Sequence, residues 1–344
     1  MSWHRVCGHE KLVRTFDQIV RRGRLAHAYL FTGSPGVGKR LFASELAKAL
    51  LCERRGLALE ACDACAACAL VDAGNHPDLF TAGRPEDALE VPIDAIRELC
   101  RNLSLKPARG RHKIAILDDA DDLNEESANC FLKTLEEPST GSVLILISTS
   151  AERQLSTIVS RCQVIRFSQL SDGLVADLLR NQGIEDEHLA RRLARLSDGS
   201  LGQAQALADP ALWDFRRSLL EGLGRRPVES VELAQMWMRF VEDAGKEGAL
   251  QRPRAALVLR LVIDFVRDAL CLAAGDQPRL AEPEDLRLLE QIGKRADPEK
   301  LLECLERCLE ADMQIERRVQ LVLVIEALVD ALAQRLNSSA LIQA

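Results

Sequence analysis

The sequence predicts an α/β phosphate-loop domain on a parallel sheet, followed by a small helical lid and an all-α C-terminal part. Three observations carry this. Gly33-Ser34-Pro35-Gly36-Val37-Gly38-Lys39-Arg40 stands between an apolar run, Ala28-Tyr29-Leu30-Phe31, and an amphipathic segment over 41–51. Short apolar runs then alternate with helical patterns as far as Phe167. Beyond Ser171 the strand patterns stop and only helical periodicity remains.

At 344 residues the chain is too long for one compact core, and the divisions expected are 1–170, 171–210 and 211–344. A hydrophobic content of 47% fills such cores, and the scarcity of aromatics (4%) beside abundant Leu and Ala leans helical. The net charge of −7 argues against a chain-wide basic surface for nucleic acid. No apolar run reaches membrane-spanning length and the N-terminus lacks a signal-peptide pattern, so a soluble cytoplasmic protein is expected. Its 11 cysteines should then stay reduced, and a cluster of them suggests metal before disulfide.

In chain order, residues 1–27 read as a helix with Leu12, Val13, Phe16, Ile19 and Val20 on one face. The next stretch fits G-x-x-x-x-G-K-[ST] at every position but the last. Gly33, Gly36 and Gly38 let backbone N–H groups turn toward an anion, the helix start adds partial positive charge, and Lys39 can reach outer phosphates. Arg40 stands where a hydroxyl would hold Mg²⁺, so the metal site is degenerate and ATP binding is left open.

Cys52, Cys62, Cys65 and Cys68 follow, spaced C-x9-C-x2-C-x2-C. Two overlapping C-x2-C units and an upstream cysteine complete a four-thiolate shell that suits a structural Zn²⁺ over 52–68. Cys304 and Cys308 share a helix face and read as core. Asn75-His76-Pro77-Asp78 turns into a strand, Leu79-Phe80-Thr81, with His76 in a capping or packing role. A helix over 93–103 leads to a buried strand, Lys113-Ile114-Ala115-Ile116-Leu117, that ends in Asp118-Asp119. Carboxylates at such a strand end orient Mg²⁺ or its water beside a phosphate loop, although Asp119 is shorter than a water-activating Glu. Asp121, Asp122 and Asn124 read as the start of the next helix, 127–135. Another buried strand, 143–147, ends in Ser148-Thr149-Ser150, whose hydroxyls would face the phosphates. A short helix (155–159) and a strand (164–167) close the α/β part. Helices over 174–181, 188–196 and 203–207 precede a boundary at Pro210. Long helices then have breaks at 224–227, 275–283 and 296–298, and the apolar run 319–325 reads as buried helix.

Residues 1–170 resemble the clamp-loader AAA+ family of bacterial DNA polymerase III. The likeness lies in His27-Ala28, the phosphate loop, the four cysteines, His76-Pro77-Asp78, Ile93-Asp94-Ala95-Ile96-Arg97 and Leu117-Asp118-Asp119-Ala120. It continues through Leu132-Lys133-Thr134-Leu135-Glu136-Glu137-Pro138 and Ser160-Arg161-Cys162. Residues 171–210 match the family's lid more loosely, and 211–344 match its oligomerising collar in helical character only.

The resemblance implies a five-subunit open ring that uses ATP to place a sliding clamp on primed DNA. The implied partners are the gamma/tau and delta subunits, the clamp, and primer-template DNA contacted through its backbone. It maps Arg161 onto an arginine finger that completes a neighbour's ATP site. Arg40 in place of the hydroxyl, Asp119 in place of Glu, and Gly202 in place of a lid arginine all depart from the family's motor pattern. The expectation is a hydrolysis-deficient stator, a component of the nucleotidyltransferase holoenzyme without intrinsic ATPase activity. Arg40 could even hold phosphate without Mg²⁺. The alternatives are an ATP-hydrolysing gamma/tau-type motor, which would need the missing groups, and a small-molecule kinase, which would leave the cysteine knuckle and the helical third unexplained.

Overall fold

The computed structural model describes residues 2–278 and 285–337. The chain divides into two compact units, Met1–Gln205 and Ala206–Ala344.

The first unit is organised on five parallel strands in the order β2-β3-β4-β1-β5. They are β1 (Ala28–Thr32), β2 (Leu79–Ala82), β3 (Lys113–Leu117), β4 (Ser142–Ser148) and β5 (Gln163–Arg166). Side chains alternate across the pleat, and both faces are covered. On one face Tyr29, Phe31, Ile114, Ile116, Val143, Ile145 and Ile147 pack with Phe16 and Phe42. On the other, Ala28, Leu30, Ala115, Leu117, Leu144 and Leu146 pack with Ile96, Phe131, Leu135 and Ile158. That two-sided burial is why β1, β3 and β4 read as continuous apolar runs.

The helices of this unit are α1 (Glu10–Arg21), α2 (Lys39–Leu51), α3 (Ala66–Asp72), α4 (Ile93–Ser104), α5 (Glu125–Glu136), α6 (Ser156–Val159), α7 (Asp172–Asn181), α8 (Glu187–Leu196) and α9, which begins at Leu201 and ends at Ala206. The expected single helix over 1–27 is instead a 3-10 turn, Ser2–Arg5, followed by α1. Gly8 separates them at φ 80°, where a Cβ would lie 2.6 Å from Leu170 Cδ2. Asn124 does cap α5, accepting from Ser127 N–H at 2.9 Å. Asp121 and Asp122 belong to a separate 3-10 turn, Ala120–Asp122.

The second unit is helical throughout its described residues: α10 (Pro210–Gly224), α11 (Ser230–Glu242), α12 (Gly248–Ala273), α13 (Leu286–Arg295), α14 (Pro298–Glu316) and α15 (Leu321–Asn337). The apolar run at 319 turns helical at Leu321, as its place in a helical pattern suggests, and Cys304 and Cys308 are buried. Two breaks were not anticipated. One falls between α11 and α12, where Gly245 has φ 137°. The other lies between α14 and α15, where Arg318 has φ 63° and Arg252 donates to the carbonyls of Ile315, Arg318 and Val319, each at 3.0 Å. A guanidinium satisfying three carbonyls lets a helix stop without glycine. The expected break at 275–283 lies partly outside the described residues. No described helix is long and apolar enough to cross a membrane.

Candidate functional site

Because β3, β4 and β1 are neighbours in the sheet, whatever follows each strand meets at one edge. The phosphate loop follows β1, Asp118-Asp119 follows β3, and Ser148-Thr149 spans the end of β4. Together with Leu201, Gly202 and Gln205 they line a cleft of about 470 Å³. Sequence spacing therefore brought Gly36, Gly38, Lys39, Arg40, Asp118 and Asp119 to one place. Gly33 lies at the loop's base, where its N–H donates to the Thr149 carbonyl at 3.0 Å.

Gly36 and Gly38 have φ of 75° and 103°, the left-handed geometry that turns successive amides the same way. Gly38 is also the N-cap of α2. Lys39 opens that helix and is 6% exposed. Its ammonium donates to the carbonyls of Gly33 and Ser34, the latter at 2.8 Å. Burial lowers its pKa, and Asp121, Asp118 and Asp119 oppose that shift. His9 braces the loop from the start of α1: it is buried, and Nε2 pairs with the Val37 carbonyl at 2.8 Å. No sequence signal marked His9.

Arg40 pairs with Asp118, Nη1 to Oδ2, at 3.3 Å. The position that would anchor a divalent cation thus carries a cation of its own, which neutralises the nearest carboxylate. Asp119 sits at φ 50°. Burial and the Asp118 charge push its pKa up, while Arg84 pulls it down. Asp121 plays a part the sequence did not reveal. It accepts from Thr149 N–H at 2.7 Å, from Gln154 Nε2 at 2.9 Å and from Ser148 Oγ. The Ser148 hydroxyl is therefore engaged by Asp121 and by the Ser150 carbonyl at 2.7 Å, whereas Thr149 keeps a buried hydroxyl without a partner among the described residues.

Gly202 lies against the loop itself. Its N–H donates to the Gly36 carbonyl at 3.3 Å, and Ser200 Oγ donates to the Pro35 carbonyl at 2.7 Å. A Cβ at Gly202 would come within 3.0 Å of Gly36 Cα. Gly202, which the resemblance sets where motor subunits carry a lid arginine, makes a close backbone contact here.

The four cysteines converge, with all four Sγ atoms within 4.8 Å of one another. Tetrahedral zinc with Zn–S near 2.3 Å needs sulfurs roughly 3.8 Å apart, and Cys52 and Cys65 are at 3.9 Å. Cys62 N–H and Cys68 N–H donate to the sulfurs of Cys52 and Cys65, each at 3.4 Å. The donor set and spacing fit a closed structural metal site. Asp63 turns the knuckle at φ 53°. Its carboxylate and that of Asp72 hold the buried Lys48 ammonium of α2, at 2.7 and 2.8 Å. The cysteine module is thereby tied to the helix that begins at the phosphate loop.

Arg161 lies just past α6, 34% exposed in its side chain. Nη2 bonds Glu136 Oε1 at 2.7 Å, and Nη1 bonds the Thr157 carbonyl at 2.9 Å and Ser160 Oγ at 3.3 Å. The cleft lining does not include it. His76 is buried as packing, its Nδ1 accepting from Asp78 N–H at 3.1 Å.

Comparison with known proteins fits this geometry. Residues 8–171 match the family described as DNA polymerase III, delta subunit. The DNA polymerase III subunit delta' of Pseudomonas aeruginosa is 36% identical over 64% of this chain and 69% of its own. The chain belongs to the DNA polymerase III delta-prime family. The delta' subunit of Bacillus subtilis extends the likeness to the whole delta-prime length, at 27% identity over 93% of this chain and 94% of that one. The tau subunit of Escherichia coli is 34% identical over 60% of this chain and 32% of its own. Relatives of the delta-prime and tau kinds therefore both lie close, and the choice between stator and motor rests on this delta-prime family member's own residues.

Proposed function

We propose that this chain is the stator of a clamp loader, a subunit that does not hydrolyse ATP but supplies Arg161 to the ATP site of a neighbouring gamma/tau subunit. The observation that carries the reading is the Arg40–Asp118 pair at 3.3 Å. Hydrolysis needs a metal bridging the phosphates, a base for water and a cation over the γ-phosphate. Arg40 displaces the first, Asp119 is shorter than the Glu that would serve as the second, and Gly202 removes the third. What remains is a cradle of glycine amides and Lys39, able to hold a polyphosphate without turning it over.

Arg161 supplies the positive role. A guanidinium placed in trans neutralises charge growing on the γ-phosphate and is worth on the order of 10³–10⁵ in rate. With the four-cysteine module holding Zn²⁺, 171–210 acting as lid and 211–344 as collar, the chain joins gamma/tau and delta subunits in a ring that loads a sliding clamp on primer-template DNA.

The test is ATP titration and turnover by the purified chain, with Mg²⁺ and with EDTA. The expected result is binding that does not depend on Mg²⁺ and no turnover in either condition. Mg²⁺-dependent hydrolysis would assign the chain to the gamma/tau motors. Absence of any binding signal at millimolar ATP would remove the phosphate-holding role of the loop and leave the stator reading on Arg161 alone.

A further inference from the structure

Glu136 has no part in the reading above, yet it makes the shortest contact of Arg161, at 2.7 Å. The two residues come from separate elements, Glu136 as the last residue of α5 and Arg161 two residues past α6. Both elements are fixed from behind by one core, in which Leu135 is 2% exposed and Ile158 is 1% exposed. Pro138 follows two residues on and stops α5 there. A rigid base thus presents one carboxylate and one main-chain carbonyl, that of Thr157, to the same guanidinium.

The bonds also leave part of the Arg161 guanidinium for another acceptor. A guanidinium has five N–H donors. Thr157 and Ser160 take the Nη1 side, and Glu136 takes one hydrogen of Nη2. Among the described residues the Nε–H and one Nη2–H are left over, donors available to a further acceptor such as a phosphate oxygen. With 34% and 50% of their side chains exposed, Arg161 and Glu136 form a pair that adds little to fold stability.

We infer that Glu136 is a positioning residue, which holds the inner edge of Arg161 so that the outer edge is aimed at the phosphate of a nucleoside triphosphate bound by the neighbouring subunit. The inference rests on the trans role of Arg161. Pre-set orientation matters because a misplacement of about 1 Å can cost about 10²-fold, and loss of one of three tethers should cost less.

The test is single-turnover ATP hydrolysis at the neighbour's site in a reconstituted loader, with Glu136→Ala, Glu136→Gln or Arg161→Ala in this chain and assembly verified by gel filtration. Glu136→Ala is expected to lower the single-turnover rate constant about tenfold and leave the apparent ATP affinity within about twofold, because the neighbour's own loop binds the nucleotide. Glu136→Gln keeps an acceptor oxygen and should retain most of the rate, a rescue that a merely structural carboxylate would not give. If Arg161→Ala slows hydrolysis while Glu136→Ala does not, or if Glu136→Ala speeds it, the positioning role is overturned and the trans role stands. If Arg161→Ala itself has no effect, the trans role fails and the inference fails with it.

Discussion

A single guanidinium at Arg40 changes the site more than any other residue. The loop around it keeps its glycines, its lysine and its helix start, so the sequence alone showed both the phosphate cradle and its missing hydroxyl. What it could not show was where the new cation goes, because Asp118 lies 78 positions further along the chain and meets Arg40 only through the order of β1, β4 and β3. The same limit hid Asp121, His9 and Glu136, which act through side-chain directions that no spacing records. Glu45, six residues after Lys39, offers a residue-scale check on the packing of α2. It is 2% exposed, its Oε1 is 3.2 Å from Arg5 Nη1, and its Oε2 is buried without a partner among the described residues. Burial pushes its pKa up, with Lys48 and Arg5 opposing. A carboxyl that holds its proton more tightly when folded adds stability at low pH and loses it as pH rises through the raised value. Glu45→Gln should therefore gain stability relative to the parent as pH rises above the ordinary carboxylate value of about 4, read as the difference in denaturation midpoint. A difference that does not change with pH would contradict this.

Elements were the most legible level. Strands buried on both faces announce themselves as apolar runs, and β3 spans the five residues the sequence suggested. Long amphipathic helices did the same. The exceptions share a cause, which is that tertiary contact rather than local propensity ended the helix. Arg252 closes α14 from a distance of more than 60 residues, and Gly8 parts the N-terminal helix because Leu170 leaves no room for a side chain. The cysteine module is also an element-scale structure, and its connection to Lys48 would give a metal held there a measurable mechanical role. Elemental analysis should find about one zinc per chain. Removing it with a chelator, or replacing Cys65 with Ser, should lower the melting temperature and expose 52–72 to limited proteolysis, since the metal's binding energy is folding energy. A chain that binds no zinc and melts unchanged with chelator would show the four thiols to be simple packing.

For the whole molecule, similarity shows the family, and the stator role proposed above is argued from departures from the motor pattern. The Arg40–Asp118 pair beside the loop, the backbone contact at Gly202 and the partly exposed Arg161 between α6 and β5 are the features on which that proposal rests. The second unit's helical character was legible, but the residues that would choose ring neighbours were not, because helix periodicity distinguishes buried from exposed faces and not one partner from another. The most direct measurement is the DNA- and clamp-stimulated ATPase rate of a reconstituted loader whose only change is Arg161→Ala in this chain. A clear fall in rate with assembly intact is the predicted result. An unchanged rate would contradict the account and leave Ser160-Arg161-Cys162 as a structural turn in a scaffold.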